Sequence, residues 1–152
     1  MIFDLDIVEP IKPERIVANL LCRVPRSYGH ILAVLDTGSP STIISARDAL
    51  ILRLSTNNLQ DSKPISGFGR GQLPSKHFRN FIFFMKSRNG EAKEFKLDVS
   101  IADASGLSED FRNSAYLLPS IIGLDFLNQF GLKLYVDLKN NTAYLEMNEE
   151  NI

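Results

Sequence analysis

Apolar and polar positions along the chain alternate mostly with a period of two. Phe3, Leu5 and Ile7 are interleaved with Asp4 and Asp6, the pattern of a half-exposed strand. Residues 16–24 and 30–35 read as a strand pair joined across Pro25-Arg26-Ser27-Tyr28-Gly29. The second of these, Ile31 to Leu35, is apolar throughout, as expected of a strand covered on both faces. Ser41-Thr42-Ile43-Ile44 continues as a short strand. Further on, the run Phe81-Ile82-Phe83-Phe84-Met85 and the alternating Phe95, Leu97, Val99 and Ile101 flank Arg88-Asn89-Gly90. There Asn89-Gly90 supplies the positive φ angles of a tight hairpin turn. Ser120-Ile121-Ile122-Gly123 is a short strand ending in glycine, and Leu132–Leu138 with Thr142–Met147 forms a last hairpin around Lys139-Asn140-Asn141.

Helical signals are brief. Ser45-Ala46-Arg47-Asp48 has the form of a capped helix start, with Ser45 facing free N–H groups and Asp48 reaching back, and the helix runs to about Leu54. Leu124 to Phe130 fits two helical turns stopped by Gly131 at the C′ position. Residues 103–115 show no period and read as a polar loop. With no low-complexity segment and no linker, the expectation is one mainly β domain over residues 1–152.

Composition narrows the class without defining it. Hydrophobic residues make up 44% and charged residues 23%, as in ordinary globular proteins, and the formal charge of -1 gives no case for nucleic acid. Charge is unevenly placed: residues 63–96 carry eight Lys/Arg against two Glu, whereas 97–152 carry three against nine Asp/Glu. Solvated outer faces or a polarised substrate rim would both produce this. The single cysteine, Cys22, precludes an intrachain disulfide and lies in an apolar stretch that favours an inert thiol. Met1 to Asp6 carries two acids where a signal peptide needs a basic start, and no segment has the length of a membrane span. The expected setting is the cytoplasm, without membrane association.

One acid stands out. Asp36 follows the run Ile31 to Leu35 and precedes Thr37-Gly38-Ser39. A carboxylate at the end of an apolar strand is costly to bury unless hydrogen bonds satisfy it. Gly38 lets the chain turn sharply and brings N–H groups close, and Thr37 and Ser39 add hydroxyls. An ordinary β-turn fits the same four residues. Residues 65–73 contain Gly67, Gly69 and Gly71 around Phe68 and Arg70. They fit a mobile hairpin tip over a ligand or a plain surface turn; a phosphate nest is disfavoured, because the spacing is not G-x-G-x-x-G. His30 and His77 have no Cys or acid at metal-ligand spacing and no serine in a nucleophile context, so neither a metal site nor a hydrolase triad is expected. Asp125, in a first helical turn, and Asp137, at a strand end, read as structural.

Leu35-Asp36-Thr37-Gly38-Ser39, followed about 85 residues later by Ile121-Ile122-Gly123 and a short helix, resembles the single-lobed, retropepsin-like aspartic proteases. The tail from Gly123 to Thr142 looks like cellular and prokaryotic members. The resemblance spans about residues 15–147 and implies a mainly β acid-protease barrel with one short C-terminal helix and a second short helix after the catalytic loop. It implies an aspartic endopeptidase without metal or cofactor, acting on extended peptides. Only one Asp-Thr-Gly motif is present and the chemistry needs two carboxylates, so the enzyme would be a homodimer with one Asp36 per subunit. Thr37 would lock the two loops together, Gly38 would donate its N–H to the carboxylate, and Ser39 would donate a further hydrogen bond to Asp36. Gly67, Phe68, Gly69, Arg70 and Gly71 would form the flap, and Ile121, Ile122 and Gly123 the segment beneath the active site. The chain exceeds the minimal viral length, chiefly in loops 55–64 and 103–115, so its termini need not form a viral-type dimer sheet; the Phe3/Leu5/Ile7 and Leu145/Met147 segments remain interface candidates. A catalytically silent peptide-binding or dimerisation module on the same fold is the rival reading, and an unrelated small β-barrel a third.

Overall fold

In the computed structural model, which describes residues 1–8, 15–66, 71–148 and 150, ten strands and three short helices are formed. The strands are β1 (Ile2–Val8), β2 (Arg15–Val24), β3 (Ser27–Leu35), β4 (Ile43–Ile44), β5 (Gln60–Asp61), β6 (Ser75–Lys86), β7 (Ala92–Ala102), β8 (Ser120–Ile122), β9 (Leu132–Asp137) and β10 (Thr142–Met147). The helices are α1 (Ala46–Ile51), α2 (Glu109–Ala115) and α3 (Leu124–Gln129). Strands run in the order β5-β6-β7-β4-β8-β3-β2-β1-β10-β9, and an additional β6–β2 pairing closes the middle six into a barrel.

Closure depends on one irregularity. The β6–β7 register shifts between Phe78 and Phe81, where Asn80 takes a left-handed φ of 55°. Such a bulge bends the strand. The part before it pairs with β5, and the part after it reaches β2 through Leu21↔Phe84 and Cys22↔Phe83. The amide of Asn80 is satisfied by Asp98 Oδ1 at 2.9 Å.

Phenylalanines fill the interior. Phe3, Phe81, Phe83, Phe95 and Phe126 are each at most 1% exposed. Phe126 of α3 lies 5.1 Å from Phe95 and 5.3 Å from Phe83, ring centre to ring centre, so the core fixes where α3 sits. Burying one such ring is worth roughly 1.5–3 kcal/mol.

Several sequence expectations need correction. Residues 103–115 are not all loop: Glu109–Ala115 is helical, begun by two acids after Ser108 and buried only at Ala115. Acids in the first turn suit the helix dipole, whereas a single buried position produces no apolar period. β3 is not covered on both faces, since Leu32 is 54% exposed and Val34 half-buried. The β2–β3 turn is tighter than expected, with β3 beginning at Ser27, and α1 ends at Ile51 rather than near Leu54. Among the hairpin residues at 88–90, only Gly90 has positive φ, at 94°. β1 pairs with β10 and β10 with β9, within the chain. The side chains of Phe3, Leu5, Leu145 and Met147 are therefore core residues, while Ile7 is half-buried.

Candidate active site

Strand β3 delivers Asp36 to a crossing of two loops. Val34↔Ile121 and Leu35↔Ile122 pair in parallel, and the Asp36 amide extends the ladder by donating to Ile122 O at 3.0 Å. The loop then turns tightly: Ser39 N donates to Asp36 O at 3.1 Å and Gly38 N donates to Asp36 Oδ1 at 2.9 Å. A Cβ at Gly38 would stand 3.1 Å from that carboxylate oxygen, so glycine keeps the amide at bonding distance without crowding. The expected N–H donation by Gly38 is present; the expected hydroxyl donation by Ser39 is not. Ser39 Oγ donates instead to Ser41 O at 2.8 Å, because the turn points its side chain along the loop. Asp36 and Thr37 are both exposed, so the acid is not buried as its position after an apolar strand suggests.

Beneath this loop passes the segment Ile122–Asp125. A Cβ at Gly123 would lie 2.6 Å from Ser41 O and 2.7 Å from Ser39 O, so only glycine fits the crossing. The amide of Leu124 donates to Ser39 O at 2.9 Å, that of Asp125 to Pro40 O at 3.2 Å and that of Gly123 to Thr42 Oγ1 at 3.1 Å. Asp125 closes the clasp. Its carboxylate accepts from Thr42 Oγ1 at 2.7 Å, Thr42 N at 2.9 Å and Phe126 N at 2.8 Å. It is structural, as expected, but through Thr42 more than through the helix dipole.

A second polar knot lies deeper. Asp48 is 2% exposed and accepts from Ser120 Oγ at 2.6 Å and Arg47 Nε at 3.2 Å, while Ser120 Oγ accepts the Ser45 amide at 2.9 Å. Ser45 caps α1 as expected, receiving the Asp48 amide at 3.1 Å. Asp48 does not itself reach back to Ser45; Ser120 stands between them. No local signal could have revealed this, because the partners are 72 residues apart. The knot holds α1 and the start of β8 together, two residues before the carbonyl that receives the Asp36 amide.

Of the candidate flap, Gly67, Phe68, Gly69 and Arg70 lie outside the described residues. Its base is paired: Ile65 N donates to Leu73 O at 2.7 Å and Leu73 N to Ile65 O at 2.8 Å. Gly71 is exposed with φ of 119°, a conformation that favours glycine. Ile65 and Leu73 pack in a small cluster with Ala46, Ala102, Ala104 and Ala115, apart from the phenylalanine core. Between Gly71–Leu73 and α2 lies a groove of about 400 Å³ lined by Leu73, Leu107, Phe111, Ala115 and Leu118.

The remaining candidates fall elsewhere. Cys22 is fully buried, and burial pushes its thiol up to about 12. His30 Nδ1 is 3.2 Å from Asn19 Oδ1, and His77 Nε2 is 4.0 Å from Asp98. Among the described residues no group of three or more His, Cys, Asp and Glu side chains is placed to hold a metal ion, and no helix is long and apolar enough to cross a membrane. Asp137 terminates β9, accepting from Asn140 N and Nδ2, and these bonds hold its carboxyl below the ordinary value.

Solved structures share this architecture. The EIAV protease, in complex with the inhibitor HBY-793, superposes with a TM-score of 0.52 at 17% identity, over 85% of this chain and 100% of that one. A retropepsin-like aspartic protease from Rickettsia conorii gives 0.55 at 16% identity, over 95% of this chain and 88% of that one. No family model and no curated protein matches the sequence. The fold is that of the retropepsin-like aspartic proteases, in the single-lobed form.

Proposed function

We propose that the protein is an aspartic endopeptidase active as a homodimer, each subunit contributing Asp36. The observation that carries this reading is the Asp36 carboxylate itself, exposed at a strand end and fixed by the Gly38 amide at 2.9 Å. An acid so oriented, with one oxygen held and the other free, suits catalysis better than structure. Two such groups across a twofold axis would hold one water and share one proton, since like charges at that distance do not both ionise readily. The ionised Asp36 takes a proton as the water oxygen attacks the peptide carbonyl carbon, and the protonated one donates to the carbonyl oxygen. Collapse of the tetrahedral diol, with a proton passed to the nitrogen, breaks the C–N bond. Thr37 is exposed where it can bind the partner loop, and Ile121, Ile122 and Gly123 support the site from below.

The substrate is an extended peptide. The paired base at Ile65 and Leu73 supports a hairpin flap through residues 67–71, and the apolar groove against α2 suits an apolar side chain of the substrate. No cofactor or metal enters the scheme. The decisive experiment is Asp36→Asn assayed on a denatured protein between pH 3 and 7. Loss of at least about a thousandfold in kcat with unchanged melting is expected, in line with the removal of a group that acts in the transition state. Cleavage persisting in the variant would overturn the assignment.

A further inference from the structure

Helix α2 falls in the stretch 103–115, one of those by which the sequence exceeds the minimal viral length. It packs through one alanine: Ala115 is its buried residue, while Phe111, one turn earlier, is 54% exposed. The ring is not an isolated surface residue. Together with Leu73, Leu107, Ala115 and Leu118 it lines the groove of about 400 Å³ between the helix and Gly71–Leu73. A contiguous apolar lining of that size is what a binding groove has.

Size and chemistry limit the occupant. A cavity of roughly 150 Å³ holds one benzene ring, so this groove has room for more than one side chain. Among the described residues no charged side chain lines it. Gln72 and Ser114 are its polar side chains, and Ser114 already donates its hydroxyl to Asp110 O at 3.1 Å. A charged group entering the groove would lose water without gaining an ion partner. One wall, Gly71–Leu73, is the root of the proposed flap, so a peptide beneath the flap passes alongside. Alternate side chains of an extended peptide share a face roughly 6.5–7 Å apart, close enough for two to enter one groove. None of the lining residues comes from loop 36–42 or from segment 121–125, so those two side chains lie away from the bond that is cut.

We propose that this groove selects peptides carrying two apolar side chains at alternating positions outside the scissile pair, with Phe111 as the specificity-determining residue. The inference rests on the endopeptidase reading above and gives it a substrate class. Preferred substrates are segments with a period-two apolar pattern, the pattern that β-strands expose when a protein unfolds. Binding energy from these outer positions discriminates among peptides without touching the reacting atoms.

Peptides with one sequence around the cleaved bond and Leu-x-Leu, Ala-x-Ala or Lys-x-Lys at the outer positions, placed on either side in turn, test this on the full chain. Wild type is expected to favour Leu-x-Leu over Ala-x-Ala by about tenfold or more in kcat/KM, mainly through KM. Phe111→Ala should reduce that preference to about threefold or less with unchanged melting. Phe111→Asp should raise the kcat/KM for Lys-x-Lys about tenfold over wild type, a gain that damage to the fold cannot produce. No preference in wild type, or one that either variant leaves unchanged, overturns the groove assignment and leaves the protease reading standing. Binding of the same peptides, followed by fluorescence anisotropy, separates the two readings. Binding of Leu-x-Leu that depends on Phe111 but is never followed by cleavage keeps the groove and overturns the protease reading. Neither binding nor cleavage of any peptide overturns both.

Discussion

The crossing beneath Asp36 and the arm formed by the paired Ile65 and Leu73 are built on opposite principles. At the crossing, backbone meets backbone at distances only glycine allows; Thr42 donates two charge-assisted hydrogen bonds to Asp125 and accepts a third, neutral one from the Gly123 amide. The arm rests on two hydrogen bonds between Ile65 and Leu73 and on a cluster of six buried residues, four of them alanine. Alanine buries little surface, so the arm draws little stabilisation from packing. The comparison teaches that a tightly crossed backbone makes a rigid seat for Asp36, while a segment with little apolar burial can open at little cost.

Substitutions can break this contrast in graded fashion. Gly123→Ala should have the largest effect, because its Cβ meets backbone carbonyls at 2.6–2.7 Å that cannot move without displacing the loop. A loss of about 3 kcal/mol or more in denaturant unfolding, with loss of cleavage, is expected. Asp125→Asn keeps an acceptor for one Thr42 donor and turns the amide NH2, itself a donor, toward the other. About 1–3 kcal/mol should be lost, again with activity, as measured by urea melts and kcat. Leu73→Ala, in the arm, should behave differently: about 2 kcal/mol lost locally, seen as faster amide exchange at Ile65, with KM rising more than kcat falls. If Leu73→Ala lowers the global melting temperature as much as Gly123→Ala does, the two regions are one cooperative unit and the contrast fails.

Two smaller effects sharpen the picture at the periphery. Cys22 should resist a thiol reagent at pH 8 until the barrel unfolds, since burial raises its thiol to about 12. The neutral thiol is favoured in the folded state, so any stability it contributes holds below the unfolded value and falls as pH rises beyond it. Asp4 hydrogen-bonds Arg88, with Nε 3.1 Å from Oδ2, and this guanidinium lowers the Asp4 carboxyl. Its contribution is therefore present above the ordinary carboxyl range and lost as pH falls through the lowered value. Asp4→Asn should shift the urea midpoint only slightly, and not at all in high salt.

How much of this was legible depended on distance along the chain. The period-two runs placed β1 and β7, the apolar run Phe81–Met85 placed the second half of β6, the last hairpin placed β9 and β10, and Leu124–Gly131 showed both its helix and its stop, because local spacing carries those signals. Gly38 was readable as the donor to Asp36 because the two are neighbours. The Ser120–Asp48 contact and the Thr42–Asp125 clasp were not, since each joins residues more than 70 positions apart. Ser39 misled for a related reason: which way a hydroxyl points within a tight turn is decided by the whole loop. Helix α2 escaped because its single buried residue leaves no period to detect.

The pairing of β1 with β10 also bears on how the molecule assembles. The Met147 amide donates to Met1 O at 2.9 Å, joining residues 146 positions apart. Contacts of such sequence separation carry a high loop-closure cost and form late. The β1–β10 pairing must wait until residues 143–147 have been made. The barrel strands β2 and β3 can pair much earlier, so completion of the outer sheet should be the slow step of folding and the interval in which a nascent chain is most open to chaperones.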